Sequence, residues 1–329
     1  MAETEVRESP LTAAPAPEVT VIESPRVPLL HSVLATALWI GCIHLFFAVM
    51  FTATFLLPLS KSIAVFALLL VLIVVPVEAD SKFGMKVRRY IFKNVCGYYP
   101  ITVHVEDIKA FVPNRAYIFA LEPHSVLPVG VISLMHLSNA VPLPKTRVLA
   151  SSAVFRTPFL RHIWTWMGLA AVTRKNFISL LAAGYSCAII PGGTRETLLM
   201  VQDHEIAFLK TRKGFVRTAI ETGVPLIPVF SFGQSKVYNW WRPTGKLFLQ
   251  ICRKIKFTPM FFWGVLGTPM PRRLPLHVVV GRPIEVKQNS QPTAEEVNEV
   301  HSQFVGALQD LFERHKARVG HADRELKII

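Results

Sequence analysis

Charge is scarce in this chain, and acid is the scarcer sign: 18% of its 329 residues are charged, 22 Asp+Glu against 36 Lys+Arg. A soluble globular domain carries about 25% charged residues, so the sequence is too apolar to lie wholly in water. A disordered chain would need low hydrophobicity and more charge, and that class is excluded too. Cysteine is nearly absent: Cys42, Cys96, Cys187 and Cys252 stand far apart, which excludes a zinc cluster and a disulfide framework and fits a reducing compartment. No metal is implied. No helix-turn-helix, zinc-finger or RNA-binding signature accompanies the excess of base, so nucleic acid is not an expected partner. Internal repeats are also lacking.

Apolar residues are abundant, 51% of the chain, and the formal charge of +14 is unevenly placed. Residues 1–32 hold Glu3, Glu5, Glu8, Glu18 and Glu23 against Arg7 and Arg26, a net −3 that leaves +17 for the rest. That opening stretch has five prolines and no apolar period, and it reads as a disordered tail. An apolar, basic body suits an anionic membrane surface or a phosphate-bearing ligand.

Val33 to Leu57 runs 25 residues without Asp, Glu, Lys or Arg. As a helix it would reach roughly 37 Å, enough for a hydrocarbon core of about 30 Å. Pro58-Leu59-Ser60-Lys61-Ser62 interrupts it, and Ile63 to Val77 is a second apolar run of 15 residues. The pair predicts a helical hairpin over 33–80 that spans the bilayer twice or dips in and out. Lys82, Lys86, Arg88, Arg89 and Lys93 follow, and the positive-inside rule puts that flank in the cytosol. A hairpin returns the N-terminus to the same side. Because the apolar run follows a long acidic stretch, it makes a poor cleavable signal peptide.

From about residue 81 the pattern alternates. Tyr117–Leu121, Val148–Ala150, Leu169–Thr173, Tyr185–Ile190, Pro225–Phe230 and His277–Val280 read as strands. Asn176 opens a helix that stops at Gly184, and Gly214–Thr222 is a helix capped by Gly223. Thr293 and Glu296 form a capping box for a last helix with Val297, Val300, Phe304, Leu308 and Leu311 on its apolar face. Strands alternating with helices predict an α/β sheet covered on both faces, as one domain over 81–329.

The residues able to do chemistry fall at the ends of those strands, where α/β sheets place ligands. Glu122-Pro123-His124-Ser125 follows the first; histidine is the usual general base near neutral pH, although a lone histidine is as compatible with a structural role. Gly168-Leu169 leads to Thr173-Arg174-Lys175, a strand ending in cations. Pro191-Gly192-Gly193-Thr194-Arg195-Glu196 gives a flexible backbone beside a cation and a carboxylate. Such a turn suits a phosphate or an oxyanion and equally a plain tight turn with an ion pair. Phe261-Phe262-Trp263-Gly264-Val265-Leu266 reads either as a core strand or as an interfacial segment, and Trp240-Trp241-Arg242 likewise. Glu325-Leu326-Lys327-Ile328-Ile329 faintly resembles an endoplasmic-reticulum targeting tail.

Taken in order, the His124 loop, the Gly168-to-Arg174 block, Pro191-Gly192-Gly193-Thr194-Arg195-Glu196 and Val224-Pro225-Leu226-Ile227-Pro228-Val229 resemble the glycerolipid acyltransferase superfamily. Tyr98-Tyr99-Pro100, Pro113-Asn114-Arg115, Arg161-His162-Ile163-Trp164-Thr165-Trp166, Arg212-Lys213-Gly214-Phe215 and Val280-Gly281-Arg282-Pro283-Ile284 narrow the resemblance to the type-2 diacylglycerol acyltransferases, in their plant and algal form. It covers roughly residues 30–329. Two departures stand out. Glu122 and Ser125 replace the flanking residues of a His-Pro-His-Gly block, and Val129 stands where the superfamily places an Asp five residues after the histidine.

The resemblance implies a glycerolipid-acyltransferase-like mixed sheet and transfer of a fatty acyl group from acyl-CoA to diacylglycerol, forming triacylglycerol. His124 would take the proton of the attacking hydroxyl. Glu196, or failing that Glu122, would orient it, unless each simply pairs with a cation such as Arg195. Ser125, Gly192 and Gly193 would meet the oxyanion and acyl group. Arg174, Lys175, Arg195, Arg212 and Lys213, with Lys210 and Arg217, would face the CoA phosphates. Acyl-CoA is a substrate, so no cofactor is implied, and no serine sits in a nucleophile-elbow sequence. The expected setting is the endoplasmic-reticulum membrane or a lipid-droplet monolayer with both termini cytosolic; the oligomeric state stays open, a homo-oligomer included. Monoacylglycerol, a long-chain alcohol or a lysophospholipid are alternative acceptors, and a non-catalytic lipid-droplet binding protein is the alternative class.

Overall fold

The computed structural model describes residues 19–134, 137, 143, 145–243, 245–255 and 260–329. In chain order the strands are β1 (Thr20–Glu23), β2 (Ile101–Val105), β3 (Ile118–Glu122), β4 (Thr146–Ala150), β5 (Leu169–Ala171), β6 (Ser186–Ile189), β7 (Glu205–Ala207), β8 (Leu226–Phe232), β9 (Asn239–Trp241), β10 (Phe261–Trp263), β11 (Leu276–Val280) and β12 (Leu326–Ile328). The main helices are α1 (Leu29–Phe55), α2 (Leu59–Val74), α3 (Lys82–Tyr98), α4 (Leu160–Trp166), α5 (Arg174–Ala182), α6 (Gly214–Thr222), α7 (Lys246–Ile255) and α8 (Ala294–Lys316).

Eight strands form one mixed sheet in the order β1-β2-β11-β8-β3-β6-β4-β5. From β8 to β5 all pairings are parallel, and β11 runs antiparallel to β8. The parallel strands read as continuous apolar runs because both faces are covered. One face packs against α1, α3 and α4 through Trp39, Ile91, Val95 and Ile163. The other packs against α5, α6 and α8 through Phe177, Phe215, Phe304 and Phe312. The capping box predicted at Thr293 and Glu296 is present at the start of α8, and Gly223 ends α6 in the left-handed conformation at φ +68°. All four cysteines are buried free thiols.

Three expectations need correction. Residues 20–23 are not part of an unstructured tail: β1 pairs antiparallel with β2 in full register, because β2 offers its open edge to the backbone groups of the segment. Residues 1–18 lie outside the described residues. Nor is the hairpin a separate unit. Ala35, Trp39, Ile40 and Cys42 of α1 are buried in the main core, so the first half of α1 belongs to the body. Finally, the last residues are not a free tail. β12 pairs with β7, and the Ile329 carbonyl accepts the N–H groups of Leu209 and Lys210 at 2.9 and 3.0 Å.

The rest of the hairpin matches the sequence pattern. Helix α1 is 27 residues long with a mean hydropathy of 2.2 in its most apolar window, and among the described helices only it has the length and composition to cross a membrane. Helix α2 is shorter, with 16 residues. Ser62 stitches the pair by donating to the Ala53 carbonyl at 2.7 Å. Arg161 of α4 donates to the carbonyls of Leu72 and Ile73 at the end of α2. Between these ties Phe47, Phe51, Phe55, Leu59, Ile63, Leu68 and Leu70 are exposed.

Candidate active site

The carboxyl ends of β3, β6 and β8 lie at one edge of the sheet, since all three strands are parallel and adjacent. After β3 the chain passes a cis Glu122–Pro123 bond, and Ser125 adopts φ +54°. A left-handed non-glycine residue costs on the order of 1 kcal/mol. The turn it makes leaves His124 half-buried between buried Pro123 and Ser125.

The imidazole Nδ1 lies 2.9 Å from the Ser125 carbonyl oxygen. A carbonyl only accepts, so Nδ1 carries the hydrogen and Nε2 is left with its lone pair. Burial lowers the His124 pKa below its ordinary value, which keeps the ring neutral near pH 7. A backbone carbonyl thus fixes the tautomer, the task for which a carboxylate was sought. Val129, at the superfamily's Asp position, is 1% exposed and packed in the core.

Glu196 is therefore placed otherwise than expected. One of its carboxylate oxygens accepts the backbone N–H of His124, and the other accepts that of Phe208 at 3.1 Å. It holds the loop, with no bond to the imidazole. Glu122 is fully buried, and its Oε1 accepts the Gly192 N–H at 2.8 Å. Its other oxygen has no N–H or O–H donor among the described residues. The two carboxyls adjoin, and each acts on the other's protonation. Burial first, and then the neighbouring Glu196, pushes the Glu122 pKa well above the ordinary range. Burial also raises Glu196, while the proton on Glu122 and the two backbone N–H bonds oppose that rise. Both carboxyls are thus biased toward the protonated form, Glu122 the more strongly.

A Cβ at Gly192 would push the Glu196 carboxylate off its two backbone N–H partners. The Gly192 N–H is already given to Glu122, so that donor is not open to an oxyanion, contrary to the sequence expectation. Gly193 adopts φ +58° and opens a 3-10 turn through Leu198. The Ser125 hydroxyl is buried without a partner among the described residues.

The expected cations divide. Arg212 donates to the Gly192 carbonyl at 3.0 Å and packs over the Phe208 ring at 5.2 Å. Burial and the nearby Arg195 lower its pKa, while Glu122 and Glu196 oppose that shift. Arg195 is exposed beside it. Lys213 is drawn to Asn298 at 2.6 Å, and Arg217 donates to the Pro292 carbonyl. Arg174 pairs with Glu221 at 2.8 Å, near the end of α6 opposite Arg212. A nine-residue helix separates its ends by roughly 13 Å, so Arg174 and its neighbour Lys175 do not join the cluster.

Sequence reasoning missed Gln234. Fully buried just past β8, it donates to the Pro123 carbonyl at 2.6 Å and accepts the Gly130 N–H at 2.7 Å. A polar residue right after an apolar strand at the ligand edge was the available signal. Among the described residues no group of three or more His, Cys, Asp and Glu is set to hold a metal.

Comparison with known proteins bears on this arrangement. A family model described as diacylglycerol acyltransferase matches residues 52–329. The chain is 31% identical over 237 residues to diacylglycerol O-acyltransferase 2 of Dictyostelium discoideum, covering 67% of this chain and 71% of that one. It is 32% identical over 239 residues to diacylglycerol O-acyltransferase 1 of Schizosaccharomyces pombe, covering 67% and 68%. It is 30% identical over 258 residues to human 2-acylglycerol O-acyltransferase 3, covering 71% and 73%.

Proposed function

We infer, from the premise that this chain belongs to the diacylglycerol acyltransferase family, that it transfers a fatty acyl group from acyl-CoA to the free hydroxyl of diacylglycerol, forming triacylglycerol. The observation that carries the mechanism is the Nδ1–H bond from His124 to the Ser125 carbonyl. It leaves Nε2 of a neutral imidazole as the base that takes the hydroxyl proton while the oxygen attacks the thioester carbon. The tetrahedral intermediate then expels the CoA thiolate, which takes the proton back from His124. No covalent acyl-enzyme is needed. The Ser125 hydroxyl, buried and without a partner among the described residues, is the donor we assign to the oxyanion. Arg195, beside Arg212 at the rim, offers counter-charge to CoA phosphates.

The apolar hairpin of α1 and α2 embeds in the membrane, with the basic start of α3 on the cytosolic side. The endoplasmic-reticulum membrane, or the monolayer of a lipid droplet, is the setting where both substrates meet. Monoacylglycerol is the second acceptor to consider, favoured by the likeness to human 2-acylglycerol O-acyltransferase 3.

The deciding experiment is an assay of the purified protein with acyl-CoA and either acceptor. His124→Ala should lower transfer by roughly 10²–10⁴-fold, the usual cost of losing a general base, and leave membrane association unchanged. Near-normal activity in that variant would overturn the assignment of the base. Absence of transfer in the wild type would favour a non-catalytic lipid-binding protein.

A further inference from the structure

Beyond the hairpin, the body carries a second apolar surface held out by a built scaffold. Strands β9 and β10 form an antiparallel two-stranded ribbon, Trp241 opposite Phe261. Their outward rings contact each other at 6.0 Å, yet Phe261 is 70% exposed and Trp241 54%. Beyond β10 a tight turn carries Leu266, 96% exposed. Leu266 sits at φ +51°, ψ +31°, a left-handed conformation that favours glycine. A large apolar side chain held bare at such a position has no folding rationale.

The turn is rigid. The N–H groups of Gly264 and Val265 donate to Thr268 and Met270 carbonyls, both at 2.8 Å, and the Thr268 hydroxyl donates to the Val265 carbonyl at 2.7 Å. Gly264 approaches the Met270 carbonyl so closely that a Cβ would not fit. These bonds satisfy the backbone at the base of the turn and leave the Leu266 tip for the polar headgroup–acyl boundary.

The ribbon is continuous with the hairpin. Phe262, on its inner face, meets His44 in the middle of α1 with ring centroids 4.9 Å apart, next to exposed Leu45 and Phe47. Arg242, with its guanidinium 5.2 Å from the Trp240 ring centre, directly follows exposed Trp241, and exposed Lys246 comes four residues later. Exposed aromatics bordered by Arg and Lys are the composition of a membrane interface.

We propose that the β9–β10 ribbon and the Leu266 turn insert into the same lipid leaflet as the hairpin, as a second membrane contact of the catalytic body. The insertion rests on the membrane setting proposed above. It bears on the active site through two ties. Arg242 donates to the Met200 carbonyl just past the Gly193–Leu198 turn at 3.4 Å. Gln234, five residues before β9, grips the Pro123 carbonyl. A body docked through this ribbon holds the His124 loop against the leaflet, where diacylglycerol resides.

The test uses the full chain reconstituted in phosphatidylcholine–phosphatidylserine vesicles, with an environment-sensitive fluorophore on Leu266→Cys. The native cysteines are buried, and a fully exposed site cannot disturb packing. Labels at Phe51→Cys, on the hairpin, and Glu313→Cys, on α8, serve as references. At position 266 the emission should shift to the blue, and acyl-chain-brominated lipid should quench it. Iodide quenching should be about fivefold weaker than at 313, because the label leaves water for the headgroup–acyl boundary. Iodide access equal to that at 313, with position 51 protected, overturns the second contact and leaves the hairpin intact. Access equal at all three sites overturns both. Protection at 266 without brominated-lipid quenching identifies a second copy of the chain as the occupant and likewise overturns the proposal.

Discussion

At the scale of single residues, the site rests on two adjoining buried carboxyls, and burial holds Glu122 toward its protonated form. Glu122 accepts the Gly192 N–H and, as an acid, can donate to the adjoining Glu196. A glutamine reproduces both bonds, so Glu122→Gln should keep activity within a few fold, whereas Glu122→Ala strands the Gly192 N–H at a cost of about 1–3 kcal/mol. The sign of the pH effect follows from the raised Glu122 pKa. A proton held more tightly when folded stabilises the protein fully below the ordinary carboxylate range, and that contribution is lost as pH rises through the raised value. Thermal unfolding of Glu122→Gln should accordingly depend less on pH on the alkaline side than the wild type does. An unchanged alkaline slope would show that the fold does not hold Glu122 protonated. Gly192→Ala should abolish activity by the collision with Glu196, while Gly184→Ala, in open space with φ +79°, should be a mild stability variant.

At the scale of elements, it is the partners already engaged by each cation that decide what remains for substrate. Lys213 at the entrance to α6 is tied to α8 through Asn298, and Arg212 is tied to the Gly192 carbonyl. Arg195, on the short turn after β6, is exposed beside Arg212. Steady-state kinetics should show Arg195→Gln raising KM for acyl-CoA severalfold with little change for diacylglycerol, since only CoA presents phosphates. Exposed charge contacts of this kind are worth about 1 kcal/mol or less each, and added salt should reproduce part of the loss. Lys213→Gln should leave both constants within twofold of wild type, about 0.4 kcal/mol or less by the usual conversion. An equal effect of Arg195→Gln on both substrates would remove that residue from the CoA side of the site.

At the scale of the whole molecule, the apolar hairpin and the sheet-bearing body pack as one structure. Trp39 of α1 is buried against the core, and the Trp164 ring N–H donates to its carbonyl. Trp39→Ala should therefore cost about 3–5 kcal/mol, the usual loss for a buried large aromatic, and should lower the melting temperature of the detergent-solubilised enzyme. A change of less than 1 kcal/mol would mean that the hairpin is an independent anchor. Removal of residues up to 80 should give an aggregated body, because it uncovers the face of α3 that packs on α1.

Much of this was legible in the chain itself. A run free of charge, the cap at Thr293, the stop at Gly223 and the apolar strands are local facts of periodicity and backbone preference, and they set the α/β class, the hairpin and the strand ends that carry the chemistry. The His124 loop and the Pro191–Glu196 turn were visible as motifs for the same reason. Which atoms meet depended on packing across the sheet. β1 and β12 are too short to be read locally and exist because β2 and β7 offer unpaired edges. Glu196 turned from a ring partner into a loop anchor, and Arg174 was drawn away by Glu221, because hydrogen bonds and ion pairs are settled by distances across the sheet. Gln234 stayed hidden for that reason as well. Sequence fixes periodicity and therefore elements, but the pairing of buried polar atoms is set by the packing that leaves them no other partner.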